Sequence, residues 1–213
     1  MTPAAEDHRV KSEEKLNRDA ARALKELVRH GLLLVTDAKL PCLVALIAGG
    51  PVRGSWWGHP KGRAIYAAAM QLEDHPDVAA VKLVSGKATF VHRRLWPALL
   101  AAATARATWQ MQGLAASALR LLERVEKDGL LRADAVRGGR GSGRALEERL
   151  LVHAQSVHSE TGAHRTELES WSRWAGRVRA KPARDGDAGQ RAIEDALQAM
   201  AAASGGKGRL PWQ

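Results

Sequence analysis

The chain is short of every aromatic but one: a single Tyr and a single Phe stand beside seven Trp. Its 213 residues hold one cysteine, which excludes an internal disulfide and any cysteine-rich zinc site. That residue, Cys42, sits in LPCLVALIAGG, where a small buried thiol is the ordinary reading and a nucleophile the exceptional one. Long apolar runs are also missing. None approaches the roughly 18 residues that span a bilayer, and MTPAAEDHRVKSEEKLNRD at the start carries no apolar signal-peptide core. The expectation is a cytoplasmic protein with no membrane partner. No Walker loop, GxSxG elbow or dinucleotide fingerprint occurs, so nucleotide hydrolysis and acyl transfer have no positive support.

Acidic charge is the minority. Against 23 Asp and Glu stand 33 Lys and Arg, for a net charge of +10. Such a balance favours polyanionic partners through steering and counterion release, although membrane surfaces and acidic proteins attract it too. The seven Trp fill cores, anchor interfaces or stack on bases, so their position has to decide their role.

Along the chain, Leu16, Ala20, Ala23, Leu24 and Leu27 repeat at helical spacing up to His30-Gly31. GLLLVTD is short enough for a strand. Leu40 to Ile47 reads as a buried helix, followed by a Gly- and Pro-rich loop and a helix from Pro60 to about Asp74. Ala80 to His92 reads as a hairpin turning at Ser85-Gly86. That turn puts Val81 and Leu83 on one face with Ala88 and Phe90, and Lys82 and Lys87 with Thr89 on a basic face.

A helix from Leu95 continues toward Trp109, and another carries Leu114 to Val125 and stops at Asp128-Gly129. GLLRADAV is then a small wing or a turn. Arg137 to Arg144 reads as a flexible basic loop, and Leu146 to Trp174 as largely helical with a break near Thr161-Gly162. Two stretches share the order helix, helix, small β element. The fold class expected is mainly α with a small β-hairpin, winged-helix-like, in two small subdomains. Its parts are a polar lead-in (1–20), a winged-helix-like domain (21–110), a second helical subdomain (111–175) and a flexible basic tail (176–213) with an optional helix near Ala192 to Ala203.

Three constellations could carry chemistry. In GSWWGHPKG (54–62), adjacent Trp56 and Trp57 either both cap the core, or at least one is presented to a partner, to stack on an unpaired base or to wedge into the gap left by a missing one. Lys61, with Arg53, His59 and Arg63 nearby, would serve as an amine nucleophile, grip a phosphate at a helix start or remain an ordinary solvated lysine. The hairpin and its exit gather Lys82, Lys87, His92, Arg93 and Arg94, which suit a phosphate backbone or simply a solvated face. His153, His158, Glu160 and His164 form the third group. Their spacing does not fit a metal site, and His158 or Glu160 would act as general acid or base, or hydrogen-bond across a helix break. Trp171 and Trp174, three apart, read as packing residues. No cofactor or metal is expected.

GSWWGHPKG (54–62) followed by KLVSGKATFVHRRLW (82–96) resembles a family of largely uncharacterised prokaryotic proteins. The resemblance covers about Leu40 to Leu100. It implies a winged-helix-like DNA protein in base-excision repair, acting as a metal-independent abasic-site lyase or a DNA glycosylase/lyase, and it assigns no catalytic residue. Chemically, such a lyase needs an amine to attack C1′ as a Schiff base, a base for the C2′ proton, cations for the phosphates and a group to fill the missing base's place. Lys61, then Glu160 or His158, then the hairpin lysines with Arg93 and Arg94, then Trp56 or Trp57 would supply these in turn. DNA is favoured over RNA as the partner. The rival expectations are a non-catalytic winged-helix regulator or architectural protein and an RNA-binding adaptor.

Overall fold

The computed structural model describes residues 18–135, 139–158 and 164–213. The polar lead-in up to residue 17, Val136 to Gly138 and Ser159 to Ala163 lie outside them. Two compact units emerge. One comprises the described part of Met1–Ala79 with Thr89–Arg93 and Ala196–Gly208, and the other Ala80–Ala88, Arg94–Asp195 and Arg209–Gln213. Among the described residues no helix is long and apolar enough to cross a membrane.

The first unit opens with helix α1 (18–30), which buries Ala20, Ala23 and Leu27 along one stripe. It stops at Gly31, whose N–H returns to the Leu27 carbonyl at 2.7 Å. Strand β1 (Leu32–Leu34) is buried at every position. Helix α2 (Leu43–Ala48) follows, capped by Cys42, whose Sγ accepts from the Ala45 N–H. The lone thiol is therefore buried and structural. Helix α3 (Gly62–Glu73) buries Ile65, Ala68, Ala69 and Leu72.

Strands β2 (Val78–Lys82) and β3 (Ala88–His92) complete a sheet of order β1-β3-β2. They are joined through a 3-10 turn, Val84–Gly86, in which Ser85 and Gly86 both take positive φ, so the connection is at the expected place but longer than the two residues expected. The faces differ from expectation. Ala88 is exposed, whereas Thr89, Phe90 and Val91 are consecutive and buried. The reason is that β3 is the central strand and is covered on both sides, so alternation fails there.

The second unit holds α4 (Trp96–Thr104), α5 (Thr108–Met111) and α6 (Ala116–Asp128). The helix expected to run from Leu95 to Trp109 breaks because Arg106 takes a left-handed conformation, φ 53°. After α6 come strand β4 (Leu130–Arg132), a 3-10 turn at Ala133–Ala135 and helix α7 (Gly139–Glu148). Its glycines and serine read as a flexible loop in the sequence; Leu146, fully buried, and Ser142 anchor it as a helix instead.

Strands β5 (His153–His158) and β6 (His164–Glu169) then form an antiparallel hairpin where a helix was expected. With β4 they make a sheet of order β4-β6-β5. Few of their residues are β-branched, so cross-strand pairing rather than propensity makes them strands. The core beneath contains Leu121, Leu122, Val125, Leu146, Val152 and Leu168.

Helix α8 (Trp171–Val178) is capped by Ser170, and α9 (Gly186–Ser204) follows. The expected tail is thus ordered: Ile193, Leu197, Met200 and Leu210 are all buried. Spacings of four and three mark one face of α9, diluted in the sequence by alanines.

The same order occurs twice. From α1 to β3 the chain runs helix, strand, helix, helix, strand, strand, with the first strand pairing antiparallel to the last. From α6 to β6 it does so again, with a 3-10 turn in place of the second helix.

Candidate nucleic-acid interface

The Trp loop lies wholly in the first unit and holds itself together. Trp56–Gly58 form one 3-10 turn, entered from Ser55, whose Oγ accepts from the Trp57 N–H at 3.4 Å. At its exit the His59 N–H donates to the Trp56 carbonyl at 3.0 Å, and the His59 Nδ1 accepts from the Lys61 N–H at 3.1 Å. The Gly62 N–H closes on the His59 carbonyl at 2.7 Å. These bonds delay α3, which starts at Gly62 rather than Pro60. Residue 62 must be small: a Cβ there would lie 2.9 Å from the Trp57 carbonyl oxygen and 3.1 Å from that of Trp56.

On this turn the two indoles stack, with centroids 4.2 Å apart and planes inclined by 21°. Tyr66, one turn into α3, approaches Trp57 at 5.6 Å. Trp56 is half-buried, but Trp57 is 63 % exposed, more than any other large hydrophobic among the described residues. One indole therefore supports the other at the surface.

The segment that carries the stack holds charge of one sign. No Asp or Glu occurs between Asp37 and Glu73. Arg53 and Arg63 are exposed and make no ion pair among the described residues. Lys61 is differently occupied. Its Nζ donates to the carbonyls of Ile47 at 2.8 Å and Ala48 at 3.3 Å, the last residues of α2, where a cation complements the helix end.

The hairpin cations are partly neutralised. Lys82 Nζ meets Glu147 Oε2 at 2.7 Å, and Arg93 meets Asp77 Oδ1 at 3.0 Å. Lys82 is half-buried in its pair, which is why its side of the strand is not an open basic face. Lys87 and Arg94 are exposed, and His92 is half-buried at the end of β3. His158 and His164 end β5 and begin β6, paired across the ladder. The His158 side chain and all of Glu160 lie outside the described residues.

A buried polar cluster in the second unit was only half legible in the sequence. Glu169, at the end of β6, receives Arg177 Nη2 at 2.7 Å and Nε at 3.3 Å. Arg173 Nε lies 3.6 Å away. His153 Nδ1 is 3.7 Å from the same carboxylate, long for a hydrogen bond, and is flanked by the rings of Trp171 and Trp174. Burial by itself would raise the Glu169 carboxyl, but His153 and Arg177 more than offset it and hold it at about 2. The signal for Glu169 was its spacing of four and eight from Arg173 and Arg177. Trp171 and Trp174 are buried, as expected of packing residues, with Trp96 edge-on to Trp174 at 5.0 Å. Among the described residues no group of three or more His, Cys, Asp or Glu could hold a metal ion.

No protein-family model matches this chain, and neither a curated protein nor a solved structure does.

Proposed function

We propose that this chain is a DNA-binding protein built on two winged-helix modules, α1 to β3 and α6 to β6, with α3 as the reading helix. The observation that carries this reading is the order helix, strand, helix, helix, strand, strand found twice, each time with the first strand beside the last. In modules of that kind the helix before the hairpin enters the major groove while the hairpin lies against the backbone. B-form DNA admits a helix there, whereas the deep, narrow major groove of A-form RNA does not, which favours DNA.

Charge favours the first module. Helix α3 carries Arg63 in its first turn and no carboxylate before its last residue, Glu73, whereas α7 ends in two, Glu147 and Glu148. Binding to labelled duplex DNA across a salt series tests the reading. Affinity falls steeply with salt, and Arg53→Glu with Arg63→Glu weakens it and flattens the slope by roughly one for each phosphate that is no longer neutralised. No binding to any duplex at low salt would overturn it.

Abasic-site cleavage is the catalytic extension of the same proposal, with a place in base-excision repair. It asks more of the chain. The Lys61 amine would have to leave the Ile47 and Ala48 carbonyls and lose a proton before attacking C1′. Binding needs neither step and is the preferred reading.

A further inference from the structure

We infer that the Trp56–Trp57 turn is a stacking site for an unpaired nucleobase, so that this protein holds DNA with one base outside the stack more tightly than intact duplex. The inference rests on the nucleic-acid reading above and adds a ligand feature that the winged-helix topology does not supply.

Three observations carry it. First, Trp57 keeps 63 % of its surface in water, more than any other large apolar side chain among the described residues. Second, the exposed ring is preorganised. It rests on Trp56 at 4.2 Å, its backbone is fixed by Ser55 and His59, and the close fit of Gly62 leaves the turn no room to slide. A ring already ordered loses little conformational freedom when it meets a flat partner. Third, the charge of the segment that carries the turn favours an anionic partner. With Arg53 and Arg63 outside any ion pair among the described residues and no carboxylate between Asp37 and Glu73, a cationic ligand suited to the aromatic faces is repelled. A planar group on a polyanion fits both features, and nucleobases on a phosphate backbone are such groups. Within an intact duplex both faces of every internal base are already stacked, so away from the ends only a base displaced from the helix can use Trp57.

The turn immediately precedes α3, so a duplex gripped by that helix would bring the backbone to the loop's arginines. Each stacked base contributes roughly a ten-fold gain or more in affinity when its aromatic partner is present.

Three duplexes of one sequence, fluorescently labelled and read by anisotropy, test this. One is intact, one carries a single bulged thymine, and one has a base-free residue at the same bulge. The expected result is that the thymine bulge binds about ten-fold tighter than either of the others. Trp57→Ala should bring the affinities for the thymine bulge and the base-free bulge together, and Trp57→Phe should restore part of the difference between them. Equal affinity for all three duplexes overturns the inference and leaves duplex binding standing. So does equal affinity for the two bulges, which would mean recognition of a flexible joint and not of a base. Failure to bind any of them overturns both readings. The wild-type comparison between bulges needs no variant, so a poorly folded mutant does not blunt it.

Discussion

Arg177 grips Glu169 through two nitrogens, Nη2 at 2.7 Å and Nε at 3.3 Å, across the junction of β6 and α8. The carboxylate is 2 % exposed, so the guanidinium is what makes its charge tolerable there. With its folded value held at about 2, below the ordinary 4.5, Glu169 adds stability that is complete above pH 4.5 and is lost as the pH falls toward 2. Glu169→Gln should flatten the acid side of a stability profile in that window. Arg177→Met leaves a buried carboxylate without its main partner and should cost about 2 kcal/mol at pH 7, the low side for a buried pair because Arg177 is itself half exposed. Urea titrations at neutral pH and at two points across the acid window would decide. An unchanged pH profile for Glu169→Gln would show that the pair contributes nothing.

Gly62→Ala should shift the Trp turn. A helical alanine gains up to about 1 kcal/mol over glycine, but a contact of 2.9 Å with a backbone oxygen forces movement costing about 1–3 kcal/mol. The net expectation is a modest loss of stability with altered near-ultraviolet dichroism from the stacked indoles. Gly58→Ala, where nothing lies within 4 Å of the added carbon, is the control and should change neither. Equal spectra for the two variants would mean that the turn is free to relax.

Helix α9 supplies a sharper test. A Cβ on Gly189 would sit 2.6 Å from the Ala98 carbonyl oxygen and 3.1 Å from the Ala101 Cβ, both on α4. Backbone cannot yield cheaply, so Gly189→Ala should cost about 2 kcal/mol despite its better helix propensity. Deleting the chain after Gly176 also removes buried Ile193, Leu197, Met200 and Leu210, and the remainder should lose cooperative unfolding. A truncated chain with an undiminished thermal midpoint would show that these residues stabilise little.

Where apolar periodicity was strong, the sequence was readable. Leu121, Leu122 and Val125 marked α6 and Gly129 its end, and Ser85-Gly86 marked a tight turn in which both residues take positive φ. Three kinds of information were hidden. The strands His153–His158 and His164–Glu169 owe their conformation to pairing, which no local propensity announces. Glycines in α7 and alanines in α9 masked burial that only packing reveals. At the candidate interface the residues GSWWGHPKG were conspicuous, but which indole faces water depends on the Ser55 and His59 hydrogen bonds, and those follow from the turn rather than the composition. Likewise, nothing local said that Lys61 would reach back to α2.

That reach sets the last prediction. Lys61 Nζ donates to two carbonyls at the end of α2, and both bonds use the ammonium hydrogens. An amine that attacks C1′ must be unprotonated and free to move, so the present arrangement opposes the chemistry while suiting a structural tie. Lys61→Ala should lower stability by about 1 kcal/mol through loss of a charged donor at a helix end. Lys61→Arg, with several donors on a longer arm, should recover part of that. Incubation with abasic DNA and borohydride, in the presence of EDTA, should trap no covalent adduct with the wild type. If an adduct does form and Lys61→Ala abolishes it while duplex binding survives, Lys61 is a Schiff-base nucleophile and the lyase reading replaces the binding one. If the adduct persists in Lys61→Ala, another amine is responsible, and Lys82 and Lys87 are the next to replace.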